Sequence, residues 1–148
     1  MIRKFSLAAS IACLGVSAVP VAVSAATTSL EAGAYLPSNQ GAAAAAVLSE
    51  TLPLQLSGIR PQASIMVPFG THITGRYALT GEVRTTGRAF FGVGGGFGKL
   101  NTDTGLLVEA MAGYGLPFIP NTSVVVRFYA GDNSGVGSTG FAGLRIVL

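Results

Sequence analysis

This chain of 148 residues contains no tryptophan, a single cysteine and few charged residues. The single cysteine, Cys13, lies near the N-terminus, so neither a disulfide framework nor thiol chemistry is expected in the rest of the chain. Charged residues make up 10% of the sequence, less than half of the share found in soluble globular domains. Beyond the N-terminal segment, no apolar run approaches the roughly 20 residues that a transmembrane helix needs. Such a chain is expected to form either densely packed β structure or a membrane β-barrel.

The N-terminal segment has the pattern of a secretory signal peptide. Arg3 and Lys4 precede an apolar run over residues 5–23, and Val23-Ser24-Ala25 is a small-x-small sequence. We therefore predict a signal peptide over residues 1–25, cleaved between Ala25 and Ala26, and one mature domain over residues 26–148. Two alternatives stay open, namely a retained membrane anchor and a lipoprotein-type cleavage before Cys13. Pro20 and the small residues that follow the apolar run favour cleavage after Ala25.

The mature chain is predicted to be β structure throughout, because turn-forming residues recur at the spacing of short antiparallel strands. Its segments of roughly ten residues match the 9–11 residues of a tilted membrane-crossing strand. The fold class is therefore an all-β, antiparallel, up-and-down transmembrane β-barrel. The segment 43–51 is the weakest, because a run of alanines suits a helix or a loop equally well. The eight predicted strands are 29–36, 43–51, 55–67, 73–84, 89–99, 106–116, 123–131 and 140–148.

Period-two alternation gives these strands two different faces. One face carries Gly, Ser and Thr with the mid-strand charges, which suits a narrow lumen. The other is aliphatic and aromatic and suits lipid, where an arginine costs about 2–4 kcal/mol at the midplane. The residues predicted to form a charge network in the lumen are Glu31, Arg60, Arg76, Glu82, Arg84, Arg88, Glu109, Arg127 and Arg145. The residues predicted to face lipid are Ile65, Val67, Leu79, Phe91, Val93, Leu106, Val108, Val124, Val126, Phe128, Leu144 and Ile146.

Several strands carry the glycine–aromatic pattern of a known class of proteins. The segments 90–98 (FFGVGGGFG), 113–116 (GYGL), 124–128 (VVVRF) and 140–148 (GFAGLRIVL) resemble strands of the small eight-stranded outer membrane barrels, the OmpA-transmembrane and OmpX-like class. The resemblance covers most of the mature chain and implies the outer membrane of a diderm bacterium as its location. It also implies membrane lipid as the surroundings and the barrel-insertion machinery as a partner during assembly. Members of the class usually end on an aromatic residue, whereas this chain ends on Leu148.

The predicted function is a structural, adhesion or membrane-integrity role, with a polar lumen plugged by side chains. An eight-stranded barrel has an interior only wide enough for side chains, so a salt-bridge network is expected to fill it. One alternative is a small passive channel, for which the charges would form a mildly anion-selective constriction. A second is a secreted or periplasmic soluble barrel that binds an apolar ligand, which requires the aliphatic face to point inward.

No catalysis is expected from this sequence. The only histidine, His72, shares a predicted face with Ser64 and Glu82, and a nucleophile–base–carboxylate set as in lipid-modifying barrel enzymes is conceivable. A single histidine in a turn is more often a solvated turn residue. The glycine run 92–98 lies within a predicted strand and opens no helix, so it is not a nucleotide-binding motif. We predict no cofactor and no metal, and the near-neutral mature chain offers no basic surface for nucleic acid.

Overall fold

The structure, a computed structural model, describes the backbone of residues 21–23 and residues 25–148. The predicted signal peptide falls mostly on residues outside this part, so its cleavage between Ala25 and Ala26 stays a prediction. Within the described part there is no helix, and hence none long and apolar enough to cross a membrane. The strands are β1 (Val21–Val23), β2 (Thr27–Pro37), β3 (Ala43–Thr51), β4 (Leu54–Leu56), β5 (Ile59–Phe69), β6 (Tyr77–Thr85), β7 (Ala89–Lys99), β8 (Gly105–Gly115), β9 (Thr122–Gly131) and β10 (Ser138–Val147).

The eight long strands close into one antiparallel barrel. Strands β2, β3, β5, β6, β7, β8, β9 and β10 each pair with their neighbours along the chain, and β10 pairs with β2 to complete the ring. The short strands β1 and β4 pair with each other beside this ring, and β4 also pairs with β5. The sequence prediction of an eight-stranded, up-and-down, antiparallel barrel is therefore confirmed. Closure leaves the ring without unpaired strand edges.

The pairing register fixes the tilt of the strands. A path that starts on β2 and follows the paired residues from strand to strand goes once around the barrel. It returns to β2 about ten residues after its starting point, and this offset is the stagger of the barrel. A stagger of this size gives eight strands a tilt of roughly 40° from the barrel axis. The path runs through Thr27, Thr51, Gln62, Glu82, Gly94, Glu109, Tyr129, Thr139 and Pro37.

Most strand boundaries agree with the prediction to within two residues, and 43–51 and 89–99 agree completely. The predicted strand 55–67 is in fact two strands, because a two-residue turn at Ser57 and Gly58 separates β4 from β5. Both turn residues have positive φ, 47° and 81°, as a tight hairpin turn requires. The predicted strand 73–84 begins only at Tyr77, since Gly75 (φ 78°) belongs to the preceding loop.

The two ends of the barrel differ in what they carry. The terminal end holds the start of β2 and the end of β10, together with connections 52–58, 86–88 and 116–121. The loop end holds connections 38–42, 70–76, 100–104 and 132–137, none longer than about seven residues.

Candidate functional site

One arginine and three glutamates form an ion-pair network in the middle of the barrel. Arg127 on β9 donates from Nη2 to Glu31 Oε1 at 2.6 Å and from Nε to Glu31 Oε2 at 2.8 Å. Its Nη1 lies 3.1 Å from Glu82 Oε2 and also contacts the carboxylate of Glu109. All four side chains are fully shielded from solvent. Arg127 is therefore the centre of the network, and each carboxylate shares its single positive charge.

Neutral polar side chains satisfy the remaining carboxylate oxygens. Ser64 Oγ donates to Glu82 Oε1 at 3.0 Å, and Gln62 donates to the same oxygen. Thr80 donates to Glu109. Buried polar groups that lack a partner cost free energy, so this complete set of partners is what permits carboxylates in the barrel interior.

The network connects strands that lie far apart around the ring. Arg127 on β9 reaches Glu31 on β2 in one direction and Glu82 on β6 in the other. Farther towards the terminal end, Arg145 on β10 donates from Nη2 to Gln62 Oε1 on β5 at 2.9 Å. These contacts cross the lumen instead of following its wall, so side chains fill the cross-section at this level.

Apolar side chains occupy the interior on both sides of the charged layer. Towards the terminal end, Phe90 packs with Met111 and Val125. Towards the loop end, a larger buried cluster fills the barrel. Its members are Tyr35, Ala45, Val47, Met66, Ile73, Ala78, Leu100, Leu107, Tyr129, Val136 and Phe141. Ile73, the first residue of the predicted strand 73–84, precedes β6 and is buried in this cluster at the loop end of the barrel.

Four glycines on β7 make room for this packing. Gly92, Gly94, Gly96 and Gly98 alternate along its inward face. A Cβ atom at Gly96 would collide with the carbonyl oxygen of Leu79, and one at Gly94 would meet Glu82 at 2.7 Å. Residues without a side chain at these positions therefore allow close packing in the narrow lumen.

The other predicted lumen residues lie at different depths. Arg145 is 2% exposed, whereas Arg60 and Arg84 are half-buried near the terminal end. Arg76 is buried at the loop end but precedes β6. Arg88 was predicted to belong to the charge network of the lumen, whereas it lies exposed in the β6–β7 turn at the terminal rim, outside the buried layer.

The outward face of the barrel is a continuous apolar belt. All twelve residues that the alternation assigned to it point outward, with exposed fractions between 38% and 64%. On the same strands the inward residues are buried or half-buried. The aliphatic face therefore points away from the barrel axis, the opposite of what the soluble alternative requires.

Aromatic residues on this belt concentrate near the two ends, a feature that the sequence analysis missed. Four of them lie within about three residues of the loop end of their strands, whereas Phe91 and Tyr114 lie near the terminal end. The positions between them are aliphatic or glycine. Membrane barrels carry such aromatic girdles at both interfaces. The position of each aromatic residue within its strand would have revealed the pattern. The four loop-end residues are Phe69, Tyr77, Phe97 and Phe128.

Two outward charges lie at the margins of the belt, and the sequence analysis did not assign them. Glu50, one residue before the end of β3, accepts a 2.6 Å hydrogen bond from Thr28 Oγ1. Lys99 is the last residue of β7 at the loop end. Neither interrupts the middle of the belt.

His72 does not meet the residues with which catalysis was considered. It lies exposed in the 70–76 loop and lines a cavity of about 640 Å³ with Phe69 and Gln40. Ser64 and Glu82 are buried in the charged layer, where Ser64 donates a hydrogen bond to Glu82. In the part of the chain that the structure describes, no three His, Cys, Asp or Glu side chains gather where they could hold a metal ion.

Together these features define a small, closed, antiparallel β-barrel with a polar, side-chain-filled interior and an apolar exterior. The architecture is consistent with the class of small eight-stranded barrels. No protein-family model, curated protein or solved structure matches the chain.

Proposed function

We propose that this protein is an outer membrane β-barrel whose lumen is plugged, with a structural, adhesion or membrane-integrity role. The observation that carries the proposal is the apolar belt with aromatic residues towards both ends. In water, such a belt would expose large aliphatic side chains on every side of the molecule. In a bilayer, it meets hydrocarbon, and the aromatic residues lie at headgroup level.

The dimensions of the barrel support this placement. The strands of nine to eleven residues, tilted by roughly 40°, span about 25 Å along the barrel axis, the height of the apolar band in outer membrane barrels. The outward charges Glu50 and Lys99 lie close to opposite edges of this span. Membrane lipid and the barrel-insertion machinery are the partners that this proposal implies.

The filled interior favours a structural role over a passive channel. Ions would have to pass the layer around Arg127 and then the apolar cluster around Tyr35 and Phe141. Moving either layer would separate buried charges or open a packed core. The short connections at the loop end also leave little surface for a large receptor site.

A depth-matched pair of arginine variants tests the membrane placement. Val93 lies near the middle of β7 on the outward face, and Ala89 lies on the same face at its terminal end. In a membrane, Val93→Arg is expected to cost about 2–4 kcal/mol and Ala89→Arg about 0–1 kcal/mol. Unfolding by urea in lipid vesicles, followed by the difference in gel mobility between unheated and boiled samples, measures both costs. Equal tolerance of the two variants would contradict the proposal, since exposed positions in water should not distinguish them.

Single-tryptophan variants give an independent measure, because the natural chain contains no tryptophan. Val93→Trp is expected to fluoresce at short wavelength and to be quenched by lipids brominated deep in their acyl chains. Phe118→Trp, in the exposed 116–121 turn, is the control and should be quenched only by shallow or aqueous quenchers. Aqueous quenching of both positions would argue for a barrel outside the membrane.

A further inference from the structure

The short strand β4 is anchored to the wall of the barrel at the terminal end. A two-residue turn at 57–58 joins it to β5, and Leu56 pairs with Ile59 across this turn. The carbonyl oxygen of Gly58 accepts hydrogen bonds from Thr86 in the β6–β7 turn, at 2.9 Å from the backbone N–H and at 3.2 Å from Oγ1. None of these contacts involves a residue before Ala26. The position of β4 therefore does not depend on the N-terminal segment.

The other edge of β4 is covered by β1. Strand β1 continues β2 towards the N-terminus and β4 continues β3 past Thr51, so their pairing extends the β2–β3 ladder beyond the ring. Arg60 Nη2 on β5 also donates to the carbonyl oxygen of Ala25, at 3.3 Å. The antiparallel pairs of this extension are Val21 with Leu56, Ala22 with Gln55, and Val23 with Leu54.

The predicted cleavage between Ala25 and Ala26 would remove β1 entirely. Strand β4 would keep its anchors on β5 and on the β6–β7 turn and would lose its partner on the outer edge. Among the described strands that remain, only β4 then has a whole edge without a partner strand, because the ring itself is closed. Unpaired N–H and C=O groups along such an edge are a template for a strand from another chain.

This edge offers both hydrogen-bonding groups and an apolar face. The closing pair of a two-residue hairpin exchanges hydrogen bonds, so the backbone groups of Leu56 point to β5 and those of Gln55 point to the outer edge. Leu54 and Leu56 share a face with Ile59, on the outside of the barrel, and Leu54 is 44% exposed. An incoming strand would thus meet a donor and an acceptor at Gln55, with leucines on one face.

We propose that in the mature protein the outer edge of β4 binds an extended segment of a partner protein by strand addition. The chain's own segment 21–23, with the sequence Val-Ala-Val, shows the antiparallel geometry that the edge accepts. Backbone hydrogen bonds supply the attachment, and apolar residues at alternate positions of the partner match Leu54 and Leu56. Because β4 is already held in place, only the incoming segment has to become ordered on binding. The proposal rests on the predicted cleavage after Ala25 and not on the membrane placement.

The test begins with the whole chain, expressed in a diderm bacterium and purified in non-ionic detergent. Intact mass spectrometry should give the mass of residues 26–148, and a mass that includes residues 1–25 would overturn the proposal, because β1 would still cover the edge. A fluorescein-labelled peptide of residues 20–25 (PVAVSA) is the probe. Its fluorescence anisotropy should rise and saturate at one peptide per chain. Absence of saturable binding would equally overturn the proposal.

Two substitutions of Gln55 separate strand addition from partition of the peptide into detergent. Gln55→Pro removes the N–H that points to the outer edge, and its ring lies where the incoming strand must approach, so binding should weaken by roughly tenfold or more. Gln55→Ala keeps the backbone groups and should bind the peptide as the natural protein does. Equal binding by both variants would refute strand addition. Sedimentation that shows a dimer dissociated by Gln55→Pro would overturn the partner in favour of two β4 edges that pair with each other.

Hydrogen exchange in the natural protein carries the test if Gln55→Pro does not fold. The backbone amide of Gln55 should exchange rapidly without the peptide and at least roughly tenfold more slowly when the peptide is saturating. The amide of Leu56, which faces β5, is the internal control and should change little. Unchanged exchange at Gln55 would overturn the proposal.

Discussion

Replacing Arg127 with methionine should be among the most damaging single changes in this barrel. Arg127 makes ion pairs with Glu31 at 2.6 Å and with Glu82 at 3.1 Å, and it contacts Glu109 as well. Methionine preserves much of the side-chain volume, so the variant removes the positive charge with little change in packing. It leaves three carboxylates in the barrel interior without their cation.

The expected loss in the free energy of unfolding follows from the number of carboxylates that Arg127 pairs with. Removing one partner of a buried ion pair costs about 3–5 kcal/mol, because the other charge remains buried and uncompensated. Arg127 serves three carboxylates, so we expect a loss of at least this amount. Native domains are stable by only about 5–15 kcal/mol, so this loss is a large share of the total and the variant should unfold at a clearly lower urea concentration than the natural protein.

Urea titration in non-ionic detergent measures this loss, with the folded fraction read from the mobility of unheated samples. Arg88→Met is the control, since it removes an exposed arginine and should change the free energy of unfolding by less than about 0.5 kcal/mol. Adding Glu109→Gln to Arg127→Met should restore part of the stability, because one unpaired carboxylate is removed. A cost for Arg127→Met below about 1 kcal/mol would refute the view that the network stabilises the barrel.

Three further predictions address packing, conduction and catalysis. Gly96→Ala should destabilise the barrel by about 1–3 kcal/mol in the same urea assay, because the new methyl group meets the backbone of Leu79, whereas Gly81→Ala, which points into open space, should be nearly neutral. Planar bilayers that contain the purified protein should show no resolved current steps, and regular steps would contradict a plugged lumen. His72→Ala should leave the acylation pattern of lipid A unchanged by mass spectrometry, and a changed pattern would revive the enzyme hypothesis.

The alternation of the sequence was enough to predict the faces of the strands. All twelve predicted outward residues point outward, because a side chain's face in a regular strand depends only on its position along the chain. Even the alanine-rich strand β3 formed where predicted, since its pairing with both β2 and β5 outweighs the weak β propensity of alanine.

Alternation could not predict which side chains meet inside the barrel. Arg145 lies directly opposite Glu31 in the pairing register, yet Glu31 binds Arg127 two strands away from β2. Which arginine Glu31 binds depends on side-chain rotamers and on the stagger of the closed ring. Period-two alternation gives no information about either. Alternation also could not show where each strand ends, so the predicted strand 73–84 began four residues too early and Arg88 was assigned to the lumen network although it lies in a turn.

The position of Arg127 along the chain has a consequence for assembly. Glu31 belongs to the first strand of the ring and Arg127 to the penultimate one, 96 residues later. Until β10 closes against β2, Glu31 cannot make the two contacts with Arg127 that it makes in the complete ring, whereas Glu109 lies on the strand next to Arg127. An open intermediate therefore leaves the carboxylate of Glu31 hydrated at the seam between β2 and β10, and closure of the wall removes that water. The ion pair between Arg127 and Glu31 can thus form only in the completed ring, so it stabilises the closed barrel and not the open sheet.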